Sequence, residues 1–305
     1  MNKMINPRRY FEAVTEERGR RAEEPPVCLY LEVTNRCNLL CATCPRTFEA
    51  LEPPADMSYE LFLRIVDQLP DLQRAVLHGV GEPMLVRGLP RMIETLKERG
   101  VYVLFNTNGT LLLEKQRKFL IESGLDELRV SLDAADRASF RRVRGRDFFA
   151  RIVRNVSQFV ALQKRVGAAK PAVSLWLTGL RETIAELPRF VTLAADMGVK
   201  EVYLQRLVFD ETGRGLAHPD QALFDRLRAE DDAAISEARS LAAELGIRLD
   251  ASGATEPGLS LRRGLENTPW SGCRRPWSLM YFTANGRALP CCIAPFAARN
   301  YATYT

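Results

Sequence analysis

The stretch Thr34-Asn35-Arg36-Cys37-Asn38-Leu39-Leu40-Cys41-Ala42-Thr43-Cys44-Pro45 follows directly on an apolar, β-branched run over 28–34. Three cysteines with the spacing C-x3-C-x2-C therefore hang on a loop at the carboxyl end of a strand. Clustered thiols in a reducing compartment are read as metal ligands before disulfides. A structural zinc site takes four ligands, and the two histidines, His78 and His218, lie far from this loop in sequence. A ferredoxin cluster also takes four cysteines. Three thiolates suit a third case, a four-iron cluster with one iron left open, and an open iron can bind a small molecule directly.

Outward from that loop, strand-like and helix-like segments alternate. Short apolar runs at 28–34, 74–78, 101–106, 127–132, 172–178 and 201–207 are separated by segments with helical spacing, such as Leu61, Phe62, Ile65, Val66 and Leu69 after Ser58. Six βα steps predict a parallel sheet with right-handed crossovers. Period alone leaves open whether that sheet is doubly wound or a barrel. No G-x-G-x-x-G follows the first strand, which argues against dinucleotide binding of the Rossmann kind. Residues 221–246 read as a longer charged helix, and 251–271 as a linker rich in turn formers.

At this point the sequence resembles the radical S-adenosylmethionine (radical SAM) superfamily, whose signature loop follows the first strand of a partial barrel. Gly79-Val80-Gly81-Glu82-Pro83 stands after the second strand, where that family carries G-G-E-P. Asn106-Thr107-Asn108-Gly109 follows the third, and Ser131-Leu132-Asp133-Ala134 the fourth, in the family's order. Two departures are visible: Val80 replaces a glycine, and Thr43 stands where an aromatic residue is usual. The resemblance covers about 27–210 and implies a partial (β/α)6 TIM-like barrel. It also implies a [4Fe–4S] cluster held by Cys37, Cys41 and Cys44, with S-adenosyl-L-methionine (SAM) on the open iron. Reductive cleavage of SAM would then give a 5′-deoxyadenosyl radical that abstracts hydrogen from substrate.

Carried over by position, backbone groups at Val80, Gly81 and Glu82 would meet the SAM amino group. Asn108 belongs to the third motif, Ser131 and Asp133 would face the ribose or methionyl carboxylate, and Arg144 would pair with the carboxylate. Asn35, Arg36 and Asn38 would tune the cluster. Each has a plainer alternative. Ser131 and Asp133 also suit helix caps, Asn108-Gly109 a tight turn, Arg144 an exposed charge in Arg141-Arg142-Val143-Arg144, and His78 a strand-end histidine. Cys28 reads as a small core residue. Barrel folds place active sites at carboxyl strand ends, so substrate contacts are expected at Trp176, Thr178, Gln205 and Arg206.

A second cysteine group lies near the other end. Cys273, Gly286, Cys291 and Cys292 bracket an aromatic run and an Asn285-Gly286 turn, which predict a β-hairpin. The spacing C-x12-G-x4-C resembles the opening of the SPASM or twitch extension, which implies an auxiliary iron–sulfur cluster on Cys273, Cys291 and Cys292. The family continues with further cysteines, so a C-terminally truncated extension is expected. The division read from the chain is 1–26 as an N-terminal segment, 27–250 as the core barrel, and 251–305 as linker and auxiliary-cluster segment.

The chain has 305 residues, 46% hydrophobic and 27% charged, with a net charge of +5. That is an ordinary globular composition, long enough to bury a sizeable core. The basic excess is small and scattered among acids, so neither nucleic acid nor membrane is an expected partner. Without an apolar signal-peptide core the chain is expected in the cytoplasm. The expected partners are a peptide, protein or small-molecule substrate and a reductant such as flavodoxin or ferredoxin. The expected reaction is an oxidative modification. The alternative from another class is an iron–sulfur electron-transfer or redox-sensing protein that does not cleave SAM.

Overall fold

A computed structural model describes residues 24–208, 213–253, 255–262 and 274–290, together with Asn6 and Ala22. Among these, the strands are β1 (Cys28–Leu31), β2 (Arg74–Val76), β3 (Tyr102–Thr107), β4 (Glu127–Ser131), β5 (Ala172–Gly179), β6 (Glu201–Arg206), β7 (Arg248–Ala251), β8 (Leu279–Phe282) and β9 (Ala288–Leu289). They form one sheet in the order β7-β6-β5-β4-β3-β2-β1-β8-β9. Every pair is parallel except β8–β9, and the sheet does not close on itself. This is a partial barrel, and each of the six expected strands appears at its expected place.

Helices α1 (Tyr59–Val66), α2 (Leu89–Glu98), α3 (Glu114–Glu122), α4 (Arg137–Arg144), α5 (Phe149–Val166), α6 (Leu187–Asp196) and α7 (Ala229–Glu244) supply the crossovers. Side chains alternate along each strand, so one set meets the helices. Leu29, Leu31, Ala75, Val103, Phe105, Leu128, Val130, Leu175, Leu177, Val202 and Leu204 bury against Phe62, Ile93, Phe140, Phe159 and Phe190. The alternate positions are more polar, with Arg74, Glu127, Arg129 and Ser174 among them. Cys28 is fully buried, as expected of a core residue, with its Sγ 3.3 Å from Arg74 Nη1.

Local chemistry sets the helix ends that matter for the site. Ser58 caps α1 by accepting from Leu61 N–H at 3.1 Å. Asp136 caps α4, accepting from Ala138 and Ser139 N–H, so neither Ser131 nor Asp133 does. Gly145 ends α4 at φ +70°, a conformation that disfavours a side chain, and a Cβ there would lie 2.2 Å from Leu40 O. The end of α4 thus packs against the cysteine loop, and Ala42 N–H donates to Val143 O at 2.7 Å.

The charged helix read over 221–246 is shorter. A 3-10 turn occupies Pro219–Gln221 and Asp225 takes a positive φ, so α7 begins only at Ala229. Its first turn carries Glu230, Asp231 and Asp232, which the helix dipole favours. The predicted hairpin forms as β8–β9, with Gly286 N–H donating to Thr283 O at 2.9 Å in the turn. It extends the sheet beyond β1, with Cys28 opposite Leu279 and Leu31 opposite Phe282. Cys273, Cys291 and Cys292 lie outside the described residues. Among the described residues no helix is long and apolar enough to cross a membrane.

Candidate functional site

The carboxyl ends of β1 to β6 surround a cavity of about 320 Å³. Cys37, Cys41 and Cys44 all line it, as do Val80, Gly81, Glu82, Asn108, Ser131, Asp133 and Arg144. The residues that the sequence singles out at five separate places are therefore brought to one cavity.

The cysteine loop is braced before any ligand enters. Thr34 Oγ1 donates to Asp56 Oδ1 at 2.6 Å, and Asn35 exchanges bonds with Pro53 O and Ala55 N–H, both at 2.8 Å. Arg36, mostly exposed, lies 3.7 Å from Asp56. Asn38 reaches across to the third motif. It donates to Thr110 Oγ1 at 2.8 Å and accepts from Asn108 Nδ2 at 2.7 Å, and Asn108 Nδ2 also stands 4.0 Å from Cys37 Sγ.

The loop after β2 is laced to its neighbours on both sides. Glu82 N–H donates to Arg36 O at 2.8 Å. A Cβ on Gly81 would lie 2.2 Å from Thr34 O and 2.7 Å from Arg36 O, so only glycine lets the two backbones approach this closely. The Glu82 carboxylate is 2% exposed. Its Oε2 accepts from Asn108 N–H at 2.7 Å, and its Oε1 accepts from the Thr107 hydroxyl at 2.7 Å and Met84 N–H at 3.1 Å. Burial raises its pKa against these bonds and the nearby Arg144 charge. Asn108-Gly109 is a turn, but one whose side chain and backbone tie the second and third loops together.

Arg144 is buried, not an exposed member of a basic run. Its Nη1 donates to Cys41 Sγ at 3.2 Å, its Nη2 to Ser131 O, and its Nε lies 3.2 Å from Asp133 Oδ2. Burial works against this charge, yet Asp133 and the Cys41 and Cys37 sulfurs outweigh it and raise the pKa further. The other Asp133 oxygen accepts from Thr178 N–H at 2.7 Å, so Asp133 clamps the β4 end to β5 and orients Arg144.

Of two further cavity residues, Arg46 carries no role in the sequence, and His78 is read there as a strand-end histidine or a catalytic base. Arg46 donates to Leu39 O at 2.8 Å, while its buried Nε has no acceptor among the described residues. His78 faces the cavity beside Tyr30, with ring centroids 6.0 Å apart. Burial, then the Arg129 and Arg74 charges, lower its pKa to about 4, so it is neutral at physiological pH. Thr178, Gln205 and Arg206 line the cavity as expected, but Trp176 does not. Its ring stacks on Tyr203 at 4.0 Å, one inward position earlier on β5, with Arg129 over it at 4.7 Å.

The donor set fits a thiolate-ligated cluster. Burial, then the Cys41 sulfur, push the Cys44 thiol up to about 11, and burial raises Cys37 as well, so ligation displaces protons. Arg144 beside Cys41 and the orphaned Arg46 Nε supply the positive surroundings that thiolates and a carboxylate need. Among the described residues no three His, Cys, Asp or Glu side chains converge on a single ion. Three thiols lining one cavity suit a four-iron cluster with one open iron better than a tetrahedral zinc, which takes four ligands.

The profile of the radical SAM superfamily matches residues 31–203. The tungsten-containing aldehyde ferredoxin oxidoreductase cofactor-modifying protein of Pyrococcus furiosus is 31% identical over 183 residues, 59% of this chain and 51% of that one. The PqqA peptide cyclase of Granulibacter bethesdensis is 28% identical over 218 residues, 71% of this chain and 56% of that one. The chain thus spans about half the length of these curated relatives. Streptococcus suis SuiB, solved bound to S-adenosylmethionine, superposes with a TM-score of 0.70 at 17% identity, over 92% of this chain and 63% of that one. That likeness shows the fold alone. The family match covers more than half of the sequence and takes in the cysteine loop and the motif-bearing ends of β2 to β4: the chain belongs to the radical SAM superfamily.

Proposed function

We propose that the chain is a radical SAM enzyme acting on a peptide or protein substrate, with 27–250 as its core and 251–305 as an auxiliary-cluster segment. The observation that carries the reading is the convergence of Cys37, Cys41, Cys44, Glu82, Asn108 and Arg144 on one cavity. When bound, a [4Fe–4S] cluster with SAM supplies a 5′-deoxyadenosyl radical that abstracts a hydrogen atom from substrate.

The chain's own residues hold and orient. Cys37, Cys41 and Cys44 supply the thiolates. Arg144, kept charged and aimed by Asp133, offers its guanidinium beside Cys41, where it suits the methionyl carboxylate. The loop at 80–82, pinned through Glu82, offers backbone groups for the amino group. Ser131 lines the same wall, and Thr178, Gln205 and Arg206 face substrate. Support for a peptide comes from PqqA peptide cyclase, named for one, and from SuiB, solved with its precursor peptide SuiA. Cys273, Cys291 and Cys292 are assigned to an auxiliary cluster, and flavodoxin or ferredoxin to the reductant, in the reducing cytoplasm.

Anaerobic loading with iron and sulfide, then addition of dithionite and SAM, tests the reading. Formation of 5′-deoxyadenosine and methionine is expected. An intact four-iron cluster that yields neither would overturn it and favour an electron-transfer or redox-sensing protein.

A further inference from the structure

Glu32 has no part in the site as described, yet it stands where the cofactor-binding end of the sheet meets the C-terminal hairpin. It follows β1 two residues after Tyr30 and is 3% exposed. Three neutral donors meet its carboxylate. Val80 N–H reaches Oε2 at 3.0 Å, the Tyr281 hydroxyl reaches Oε2 at 2.8 Å, and Ala284 N–H reaches Oε1 at 3.2 Å. No cation pairs with it among the described residues. Burial raises its pKa, and these bonds pull it back.

The contact is tight on both sides. A Cβ on Gly79 would lie 2.2 Å from Glu32 Oε2, so the loop rests directly on the carboxylate. Glu32 N–H also donates to Phe282 O at 2.9 Å, which fixes its register against β8. A trans peptide carries its N–H and C=O on opposite sides. Anchoring Val80 N–H to Glu32 therefore turns the Gly79 carbonyl away from Glu32, and Gly79 lines the cavity.

We infer that Glu32 is a positioning residue that couples the hairpin to the loop at 79–82, so that hairpin contacts through Tyr281 and Ala284 set the affinity for SAM. This rests on reading 79–82 as a SAM-binding loop. Its logic is that a buried carboxylate accepting from two elements at once orients both, and loosening either loosens the other.

The test uses the full chain loaded anaerobically and reduced, with SAM titrated against the change in the cluster's electron paramagnetic resonance spectrum. For Glu32→Gln the half-saturating SAM concentration should rise about tenfold at unchanged iron content. Tyr281→Phe should raise it about threefold, and adding it to Glu32→Gln should cause no further rise, because the two act through one contact. Half-saturation within about twofold of the parent in both single variants, or effects that multiply in the double variant, would overturn the coupling. If Glu32→Gln does not fold, Tyr281→Phe decides alone. If the parent protein holds its cluster but shows no change with SAM, the reading of 79–82 fails, and the coupling with it.

Discussion

The two ends of the sheet carry their loops differently. From β1 to β4 the strand-end loops are bonded to one another: Glu82 N–H to Arg36 O, the Glu82 carboxylate to Thr107 and Asn108, Asn108 to Asn38, and Arg144 to Ser131 and across to Cys41. Beyond Asp133, which grips Thr178, the lacing thins. Gln205 lines the cavity with no side-chain hydrogen bond among the described residues, and the Arg206 guanidinium rests on Phe224 at 4.7 Å with a long 3.4 Å contact to Ser260, while the Arg206 N–H donates to Ser252 Oγ at 2.9 Å. Preorganised groups belong where the ligand is always the same. Polar groups left open belong where partners differ. The contrast divides the cavity into a tightly bonded, built wall and an open wall, which the proposed function gives to cofactor and substrate respectively.

The largest effect expected on the built wall is that of Cys41→Ala. It should abolish the iron–sulfur absorption and 5′-deoxyadenosine formation together, as measured by iron analysis and chromatography. Next comes Arg144→Gln, which leaves Asp133 buried without its cation and should cost about 3–5 kcal/mol in urea unfolding of the metal-free chain. Gly81→Ala forces a side chain against two backbone carbonyls and should cost about 1–3 kcal/mol in the same assay.

A pH-dependent effect belongs to His78. Its folded-state value of about 4 lies below the ordinary 6.5. As pH falls past 6.5 the unfolded chain takes up this proton first, so stability is lost progressively down to about pH 4. The sign follows from a depressed base: the contribution is full above 6.5 and gone below 4. His78→Gln should flatten the decline by up to about 1.4 kcal/mol per pH unit within that window, relative to the parent. On the open wall, Gln205→Ala should change unfolding stability by under about 0.5 kcal/mol, and a larger loss would blur the contrast between the walls.

Much of the fold is legible in the sequence because parallel strands largely buried on both faces read as apolar runs between helices of regular spacing. What escapes is decided elsewhere in the molecule. β7, Arg248-Leu249-Asp250-Ala251, is too short and polar to stand out, and pairing with β6 makes it a strand. The built wall is legible because a ligand met mainly by backbone and thiolates needs particular residues at particular strand ends. Sequence cannot say that Arg144 is buried while Arg141 and Arg142 are exposed, since that depends on Gly145 packing against Leu40. Glu32 left one trace, a lone carboxylate inside the apolar run 28–34. The open wall is legible only as strand-end positions, which place Thr178, Gln205 and Arg206 but misplace Trp176, because an open polar group has no required neighbour.

The measurement that bears most directly on the central claim is Mössbauer spectroscopy of the chain loaded with iron-57, recorded before and after SAM is added. Three cysteine ligands on four irons predict that one iron in the Cys37, Cys41 and Cys44 cluster changes its signal when SAM arrives while the other three keep theirs. A four-iron cluster at that site whose irons are all unaffected by SAM would mean that the cluster is closed, and would contradict the account.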